Sequence, residues 1–464
     1  MKPIMPIFDK SRKKPYYIQL YEYIRSEIAA GNMEEGERLP SLRSLAKSTG
    51  LSITTVEQAY NQLLVEGYIY SKAQSGYYVS RVYSDNAQTV PVQIRDLSQN
   101  VSTLETAIGH SSLPLQYDSD CFDFNKWKRC MNKILTEFSS ALFFEGDPQG
   151  EEGLRTEISK YLYMSRGVAC SPKQIVIGAG TQQITGQLAT LLRKLSIDHV
   201  ALEDPGYLPV RNIFRDRGFA ISQVKVKADG LTIEKLPANI RAAAYVSPSN
   251  NSFTGSVMPI GRRYELLSWA EDNDSYIIED DYDSELRYFG RPVPALKSLD
   301  QNERVIYLGS FSSTLFAAVK ISYMVLPEAF AEVFSSIATD YSQTCSKMEQ
   351  LTLAMFMETG YYQTHIKKIR KLYAQKLSAV TDAFAKYAGD FVTITDIESG
   401  INIPMHIVSP KPAAQLKEEA LSIGLPSVIM SYSPGETDLI FYYNQIPLSE
   451  IDAVISRLSR LWRG

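Results

Sequence analysis

The chain has 464 residues, 44% of them apolar and 22% charged, with a net charge of −4; these are the proportions of a globular protein too long for one ordinary domain. They exclude a polycation that coats nucleic acid along its whole length, and no apolar run approaches the roughly 18–20 residues that cross a bilayer. Charge is uneven, however: residues 1–81 hold 11 Lys and Arg against 8 Asp and Glu, a net of +3, which leaves −7 for the rest, as in a DNA-binding module joined to a body that does not touch DNA.

The opening residues, Met1-Lys2-Pro3-Ile4-Met5-Pro6, lack a signal-peptide core, so a cytoplasmic protein with no membrane partner is expected. Pro15-Tyr16-Tyr17 then opens a helix in which Ile18, Tyr21, Ile24, Arg25 and Ile28 recur near helical spacing, ending at Gly31. Ser41 is a suitable N-cap for a second helix over Leu42–Ser48, which Gly50 ends. Ser52 caps a third, Ile53–Glu66, with Val56, Ala59, Tyr60, Leu63 and Leu64 turned inward. Thr54, Thr55 and Gln58 lie at its exposed start, where short polar groups reach phosphates and base edges once a helix end enters the major groove. Two β-runs, 68–70 and 77–79, around a Lys72-Ala73-Gln74-Ser75-Gly76 tip complete a wing.

That order, and the string ERLPSLRSLAKSTGLSITTVEQAYNQLLVEGYIYSKAQSGYYV, resembles the GntR-family winged helix-turn-helix over residues 12–81. The resemblance implies that Arg43, Ser52, Thr54, Thr55, Ser75 and Gly76 contact a double-stranded DNA operator. Arg43 is the strongest of these, since a rigid fork suits phosphate or guanine. Ile53 stands where the family usually carries Arg.

Residues 82–110, rich in Ser, Asn, Gln, Thr and Val, read as a linker, with a reach of roughly 30 Å if flexible. From Phe122 onward the pattern is globular. Gly146-Asp147-Pro148-Gln149-Gly150 precedes a β-run, Gln174–Gly178, which passes through Gly180-Thr181-Gln182-Gln183 into a helix over Gln182–Lys194. A glycine turn at a helix start offers N–H groups and a positive dipole end to an anion. Next come Glu203-Asp204-Pro205-Gly206-Tyr207 and a β-run, Tyr276–Ile278, ending in Glu279-Asp280-Asp281-Tyr282-Asp283-Ser284-Glu285; acids at a strand's C-terminal end sit where α/β folds bind ligands. A last β-run, Arg304–Leu308, feeds a Gly/Ser turn whose Ser310 and Ser312, with the cation Lys320, suit a phosphate. Cys121, Cys130, Cys170 and Cys345 form no C-x-x-C pair, which argues against a metal site or a disulfide framework.

Residues 309–323 resemble the G-[ST]-F-S-K-x-L-x-P-x-L-R-x-G-Y signature of MocR-type regulators, a branch of the GntR family with a fold-type I aminotransferase-like domain. The G-D-P-Q-G, E-x-P-G-Y and E-D-D-Y-D-S-E stretches resemble the same family. The resemblance implies a multi-domain chain: an N-terminal α+β winged helix, then an α/β pyridoxal-phosphate-type domain over 111–464 with a mixed, mostly parallel central sheet. Its large subdomain is expected at about 146–335, and its small α+β subdomain at about 336–464 together with 111–145. Thr181, Gln182, Tyr207, Asp280, Tyr282, Ser310, Ser312 and Lys320 fall on cofactor-binding positions, Tyr207 over the ring, Asp280 at the pyridine nitrogen and Tyr282 at the ring hydroxyl. A head-to-tail homodimer is also implied.

Three departures fall on chemistry. Ser313 occupies the slot of the lysine that joins pyridoxal phosphate, with Lys320 in the slot of an Arg. The S-H-Q-x-P-x-G loop reads Ser249-Asn250-Asn251-Ser252-Phe253-Thr254-Gly255. No Arg occurs between Arg370 and Arg457, although the family expects a carboxylate clamp near Leu439-Ile440-Phe441. The expectation is therefore a transcriptional regulator without catalytic residues or metal, whose body is a sensor and dimerisation unit. It would hold pyridoxal or pyridoxamine phosphate only noncovalently and respond to a small-molecule effector. The alternatives are a pyridoxal-phosphate-dependent aminotransferase, or a regulator whose ligand is unrelated to that cofactor.

Overall fold

The computed structural model describes residues 14–72, 75–81, 121–227, 230–251, 257–281, 283–288, 293–394 and 400–463, with Pro6 and Phe8. The chain divides into two compact units, residues 1–108 and 109–464; the linker expected at 82–110 lies outside the described residues.

In the first unit, helices α1 (Tyr16–Ala29), α2 (Leu42–Thr49) and α3 (Ile53–Val65) precede strands β1 (Ile69–Lys72) and β2 (Gly76–Val79). Both expected caps form: Ser41 Oγ accepts the Ser44 N–H at 3.2 Å and Ser52 Oγ accepts the Thr55 N–H at 3.1 Å, each worth about 1 kcal/mol. The buried stripe of α1 is Leu20, Ile24 and Ile28, packed on Leu45, Val56, Ala59, Tyr60 and Leu63. Arg25, which recurs at helical spacing with these residues, is exposed. Its guanidinium donates to Tyr21 Oη at 3.1 Å, because an apolar core offers a cation no partner while the preceding turn of the helix does. The wing is antiparallel, with Ile69 opposite Val79 and Lys72 opposite Gly76.

The second unit is built on one large sheet. Its elements are α4 (Phe124–Glu137), α5 (Glu152–Arg166), β3 (Ile175–Gly178), α6 (Thr181–Lys194), β4 (His199–Asp204), α7 (Leu208–Asp216), β5 (Ala220–Lys227) and β6 (Gly230–Leu231). There follow β7 (Ala243–Val246), α8 (Ile260–Asp272), β8 (Tyr276–Asp280), β9 (Val305–Ser310), β10 (Ser322–Val325) and α9 (Glu328–Ala338). Strand order is β3-β10-β9-β8-β7-β4-β5-β6. Neighbours from β9 through β5 pair parallel, while β10 runs antiparallel to both β9 and β3, and β6 to β5. The sheet is thus mixed and mostly parallel, as the sequence implied. Its central strands are near-continuous apolar runs because helices cover both faces. On one side Ile184 and Leu188 of α6, Phe214 of α7 and Phe330 of α9 pack on Val176, Ile278 and Met324; on the other lie Leu266 and Trp269 of α8 and Leu154 and Ile158 of α5.

The chain ends with α10 (Lys347–Glu358), α11 (Tyr361–Ala388), β11 (Val392–Ile394), β12 (Asn402–Val408), α12 (Ala413–Ser422), β13 (Ser427–Ser433), β14 (Glu436–Tyr442) and α13 (Ile451–Arg463). These strands form an antiparallel sheet, β11-β12-β14-β13, covered by Leu377 and Phe384 of α11, Leu416 of α12 and Trp462 of α13. The boundary differs from the sequence expectation. Trp127 and Cys130 of α4, and Leu353 and Phe356 of α10, pack with α5 in the large core, so neither helix belongs to the small layer. The aromatic faces of α4 and α10 find each other there, with the Trp127 and Phe356 ring centroids 5.7 Å apart. The change of core comes along α11, whose 28 residues run for about 42 Å: Tyr362 lies in the large core and Leu377 in the small one.

Candidate ligand pocket and nucleic-acid interface

A cavity of about 780 Å³ opens at the C-terminal ends of the parallel strands and is walled on its far side by the small sheet, the usual place for a ligand in this class of sheet. Its inner end is the start of α6. Gly180 precedes that helix with φ 87°, a conformation that side-chain-bearing residues rarely take. A Cβ built there would lie 3.8 Å from Lys320 Cδ, so the lysine stem runs beside the free N–H groups of the helix start. Among the described residues, no hydrogen bond or ion pair engages the Lys320 ammonium. Ser310 was expected in a turn. It is instead the last residue of β9, because β10 extends the pairing to Ser322 opposite Ser310 and Tyr323 opposite Gly309. There Ser322 Oγ donates to Ser310 Oγ at 2.9 Å, and the Ser312 N–H donates to the same oxygen at 3.3 Å.

The carboxylates at the end of β8 separate by role. Glu279 is buried and turned away from the cavity, accepting the N–H groups of Leu296 and Lys297 at 2.7 and 2.8 Å. Asp280 faces the cavity and accepts the Tyr245 hydroxyl at 2.5 Å. Desolvation pushes it up to about 6, against the pull of Tyr245 and with help from the neighbouring charge of Asp281. Asp281 is gripped by Arg166, whose Nε and Nη2 each donate to it at 2.8 Å; Ser284 and Tyr307 donate to it as well. Burial would depress that guanidinium, but the Asp281 carboxylate, then Tyr307 and Glu279, hold it above its ordinary value. Glu203, at the end of β4, is buried and pushed up to about 8 by desolvation, although it accepts the Ser247 N–H at 3.3 Å and Asn251 Nδ2 at 3.1 Å.

Thr181, Gln182, Tyr207, Asp280, Ser310, Ser312 and Lys320, and with them Ser313, all line this one cavity. Tyr282 lies outside the described residues, as do positions 252–255 of the altered loop. The outer wall is Asn402, Val428, Ile429, Met430 and Tyr442. A β-bulge between Ile429 and Ser431 leaves Met430 as the extra residue of β13, a device that re-aims a side chain. Ile440, in the stretch where the family signature has its clamp, is 2% exposed and pairs with Val428 of the cavity wall. Reading the sequence missed Tyr245, Glu203 and Arg166, whose roles arise from strand neighbours distant in the chain. It also missed Arg211, which lines the cavity and was discoverable, since it stands four residues after Tyr207 on a helix.

In the first unit, Arg43 and Thr54 are exposed, and among the described residues neither side chain has a hydrogen-bond partner. Ser52 and Thr55 hold each other, Oγ to Oγ1 at 2.8 Å, and so set the start of α3. Ser75 Oγ and Tyr78 Oη are 2.6 Å apart. A Cβ at Gly76 would meet Arg38 Nε at 3.5 Å, which places a further cation against the wing; Arg38 is itself bridged to Tyr78. Lys72 lies over the rings of Tyr70 and Tyr78, 5.6 and 4.8 Å from their centroids. A polar helix end and a basic wing in one winged helix are the features that take a groove and its flanking phosphates.

Residues 16–79 match the family described as bacterial regulatory proteins, gntR family, and residues 115–423 match aminotransferase class I and II. The chain is 37% identical over 470 residues to YdeL, an uncharacterized HTH-type transcriptional regulator of Bacillus subtilis (strain 168), covering 99% of each chain. It is 31% identical to MocR of Rhizobium meliloti, a probable rhizopine catabolism regulatory protein, covering 86% of this chain and 83% of that one. Among solved structures, Pyrococcus horikoshii kynurenine aminotransferase, crystallised with PMP, superposes with a TM-score of 0.63 at 23% identity over 79% of this chain and 95% of that one, a likeness of fold. No helix among the described residues is long and apolar enough to cross a membrane.

Proposed function

The chain belongs to the MocR-type transcriptional regulators, DNA-binding proteins in which a GntR winged helix precedes an aminotransferase class I and II domain, and we propose that this body is a non-catalytic sensor of a phosphorylated pyridine of the vitamin B6 class. The observation that carries the reading is Ser313, which lines the pocket and is 7% exposed. It stands in the slot that the family signature gives to the cofactor-bonding lysine. A hydroxyl cannot condense with an aldehyde to form a C=N bond, and no proton-shuttling amine remains at that position.

The rest of the donor set fits the group. The start of α6, Ser310, Ser312 and Lys320 form a cradle for a phosphate. Tyr207, 47% exposed, offers a ring face for stacking worth about 1 kcal/mol. Asp280 is an acid placed to hold a protonated ring nitrogen. Pyridoxal phosphate, when bound to an enzyme, supplies an electron sink for chemistry at an amino acid; here the chain's own residues bind and orient the ring. In this reading Thr181 and Gln182 border the phosphate, and the protein is a cytoplasmic head-to-tail homodimer with two winged heads. A ligand that binds one body conformation better than another shifts operator affinity by that difference, typically 1–3 kcal/mol.

Calorimetry with pyridoxal phosphate and pyridoxamine phosphate, beside borohydride treatment and mass spectrometry, tests the reading. Binding is expected without a borohydride-stable protein adduct, and Ser313→Lys is expected to gain that adduct. Amino-group exchange by the native protein would restore the aminotransferase alternative. Absence of binding by either compound would leave a regulator whose ligand is unrelated to B6.

A further inference from the structure

We propose that the body carries a DNA-binding surface of its own, the exposed stripe of α11 bearing Lys367, Lys368 and Lys371, which holds the duplex that flanks the operator. The proposal rests on the winged unit as the part that selects the operator, and not on the B6 reading.

Residues 82–464 carry a net charge of −7, yet residues 361–378 hold five Lys and Arg and no Asp or Glu. The charge of the body as a whole, which pointed to a body clear of DNA, averages this face away. Two of the five cations are internal ties. Arg370 donates through Nε and Nη2 to Arg287 O at 3.1 and 2.8 Å, and buried Lys376 donates to Asn444 O at 2.8 Å. The other three are exposed. Thr364, Lys367, Lys368, Lys371, Gln375 and Ser378 recur at steps of three and four, so they form one outward stripe, about 21 Å long. Ile369, Tyr373 and Leu377 bury the opposite face.

Helix stability does not account for the stripe. Lys367 and Lys371 are a like-charged i, i+4 pair, which disfavours a helix, and among the described residues neither ammonium has a hydrogen bond or ion pair. A face that is merely solvated balances its cations with acids one turn away. Here the nearest acids along the chain are Glu358, before the helix begins, and Asp382, eleven residues past Lys371. Helix α4 adds to the patch at the start of α11: Lys126 Nζ lies 5.4 Å from the Tyr361 ring centroid, and Arg129 donates to Tyr361 Oη at 3.3 Å. Buried His365 lies in the field of both groups. Desolvation depresses it first, and Lys368 and Lys126 add to that effect. Asp123, also near, is taken up by the cap of α4 and by Lys126 at 4.0 Å.

The stripe's composition selects the partner. Its side chains are cationic or neutral and polar, without the aromatic or aliphatic anchors that a protein interface or a membrane surface requires. Ammonium groups on flexible stems suit a row of phosphates, and duplex DNA presents about one charge per 1.7 Å. DNA is also the polyanion that the winged unit brings to this chain. The 39 residues between Arg81 and Cys121 span at most about 140 Å, the length of about 40 base pairs. DNA held by the winged unit therefore raises the local concentration of phosphate at the body.

The test uses the full chain and an operator of about 20 bp that it selects from random duplexes, either alone or centred in a duplex of about 80 bp. Affinity is read by fluorescence anisotropy over a salt series. Wild type is expected to bind the long duplex about tenfold or more tightly than the short one, with a salt slope steeper by about 2.7 for each stripe engaged. Replacing the three lysines together (Lys367→Gln, Lys368→Gln and Lys371→Gln) should abolish that advantage and the added slope, with affinity for the short operator kept within about threefold. Arg at the same three positions should retain the advantage. Removing equal charge elsewhere, by Lys173→Gln, Lys227→Gln and Lys417→Gln, should leave both duplexes within about threefold of wild type. Equal affinity of wild type for the two duplexes, or a Gln triple variant that keeps the long-duplex advantage, would overturn the proposal. Equal weakening on both duplexes in that variant would do the same, as the mark of a structural role. A wild type indifferent to duplex length whose stripe instead bound phosphatidylserine vesicles would assign the surface to a membrane and likewise end it.

Discussion

Ile53 opens α3 48% exposed, an apolar side chain at the helix end expected to meet DNA. Replacing it with Arg places a cation within reach of a phosphate. The helix dipole opposes a positive charge there by about 0.3–1 kcal/mol, less than a phosphate contact contributes. Ile53→Arg is therefore expected to tighten DNA binding roughly 3- to 10-fold and to steepen the salt dependence by about 0.9 in slope, measured by fluorescence anisotropy over a salt series. Two acids in the pocket make pH-dependent expectations. Glu203 lies at about 8 in the fold against an ordinary 4.5, so the folded state holds its proton more tightly than the unfolded chain. Its contribution to stability is greatest below about 4.5, declines as pH rises to about 8, and is level above that. Glu203→Gln should flatten this window by a few kcal/mol at most, read from urea melts across pH. Asp280, at about 6, must be ionised to hold a protonated ring nitrogen. Binding of pyridoxamine phosphate is expected to weaken as pH falls below about 6, and Asp280→Asn should remove that step.

Elements are held to the site by a few buried polar ties. Arg166, the last residue of α5, joins that helix to Asp281 just past β8, with both side chains almost wholly buried, and its Nη2 also donates to Ser249 Oγ at 2.7 Å. Removing one partner of such a pair strands a charge away from water. Arg166→Ala is expected to destabilise the body by about 3–5 kcal/mol and to displace the Asp280 end of β8, seen together as a lower melting temperature and lost ligand binding. The β9–β10 pair has the opposite constraint, a lack of space. A Cβ at Gly309 would stand 2.3 Å from Tyr323 Cζ, so Gly309→Ala must push a buried ring aside. A loss of about 1–3 kcal/mol is expected, with the Ser310 hydroxyl moved from the phosphate cradle.

At the scale of the whole molecule, the exposed aromatic segment after α4 bears on assembly. Phe138, Phe143 and Phe144 are 47%, 89% and 73% exposed, a run of aromatic surface that a monomer seldom leaves open. The proposed homodimer would bury this surface against its second copy. Changing Phe143 and Phe144 together to Asp is expected to give a monomer by light scattering and to weaken operator binding where two half-sites are required. Ligand binding to the body should alter the preferred half-site spacing in gel shifts; an unchanged spacing and affinity with every B6 compound would remove the sensing role.

The winged helix was legible almost residue by residue, because caps, turns and an i, i+4 stripe are local and are written in adjacent letters: Ser41, Ser52 and the α3 core residues all lie where the spacing puts them. The mixed sheet and the marker residues of the pocket were reached through motifs, and Thr181, Tyr207, Asp280 and Lys320 prove to share one cavity. What only the tertiary structure decided depends on strands far apart in sequence. Tyr245 comes to Asp280 because β7 pairs with β8, Arg166 reaches Asp281 across 115 residues, and α4 and α10 join the large core through aromatic faces that the chain order does not reveal. Local chemistry fixes how a segment begins and ends; which segments become neighbours depends on the burial of their faces, and that is set by the whole chain at once.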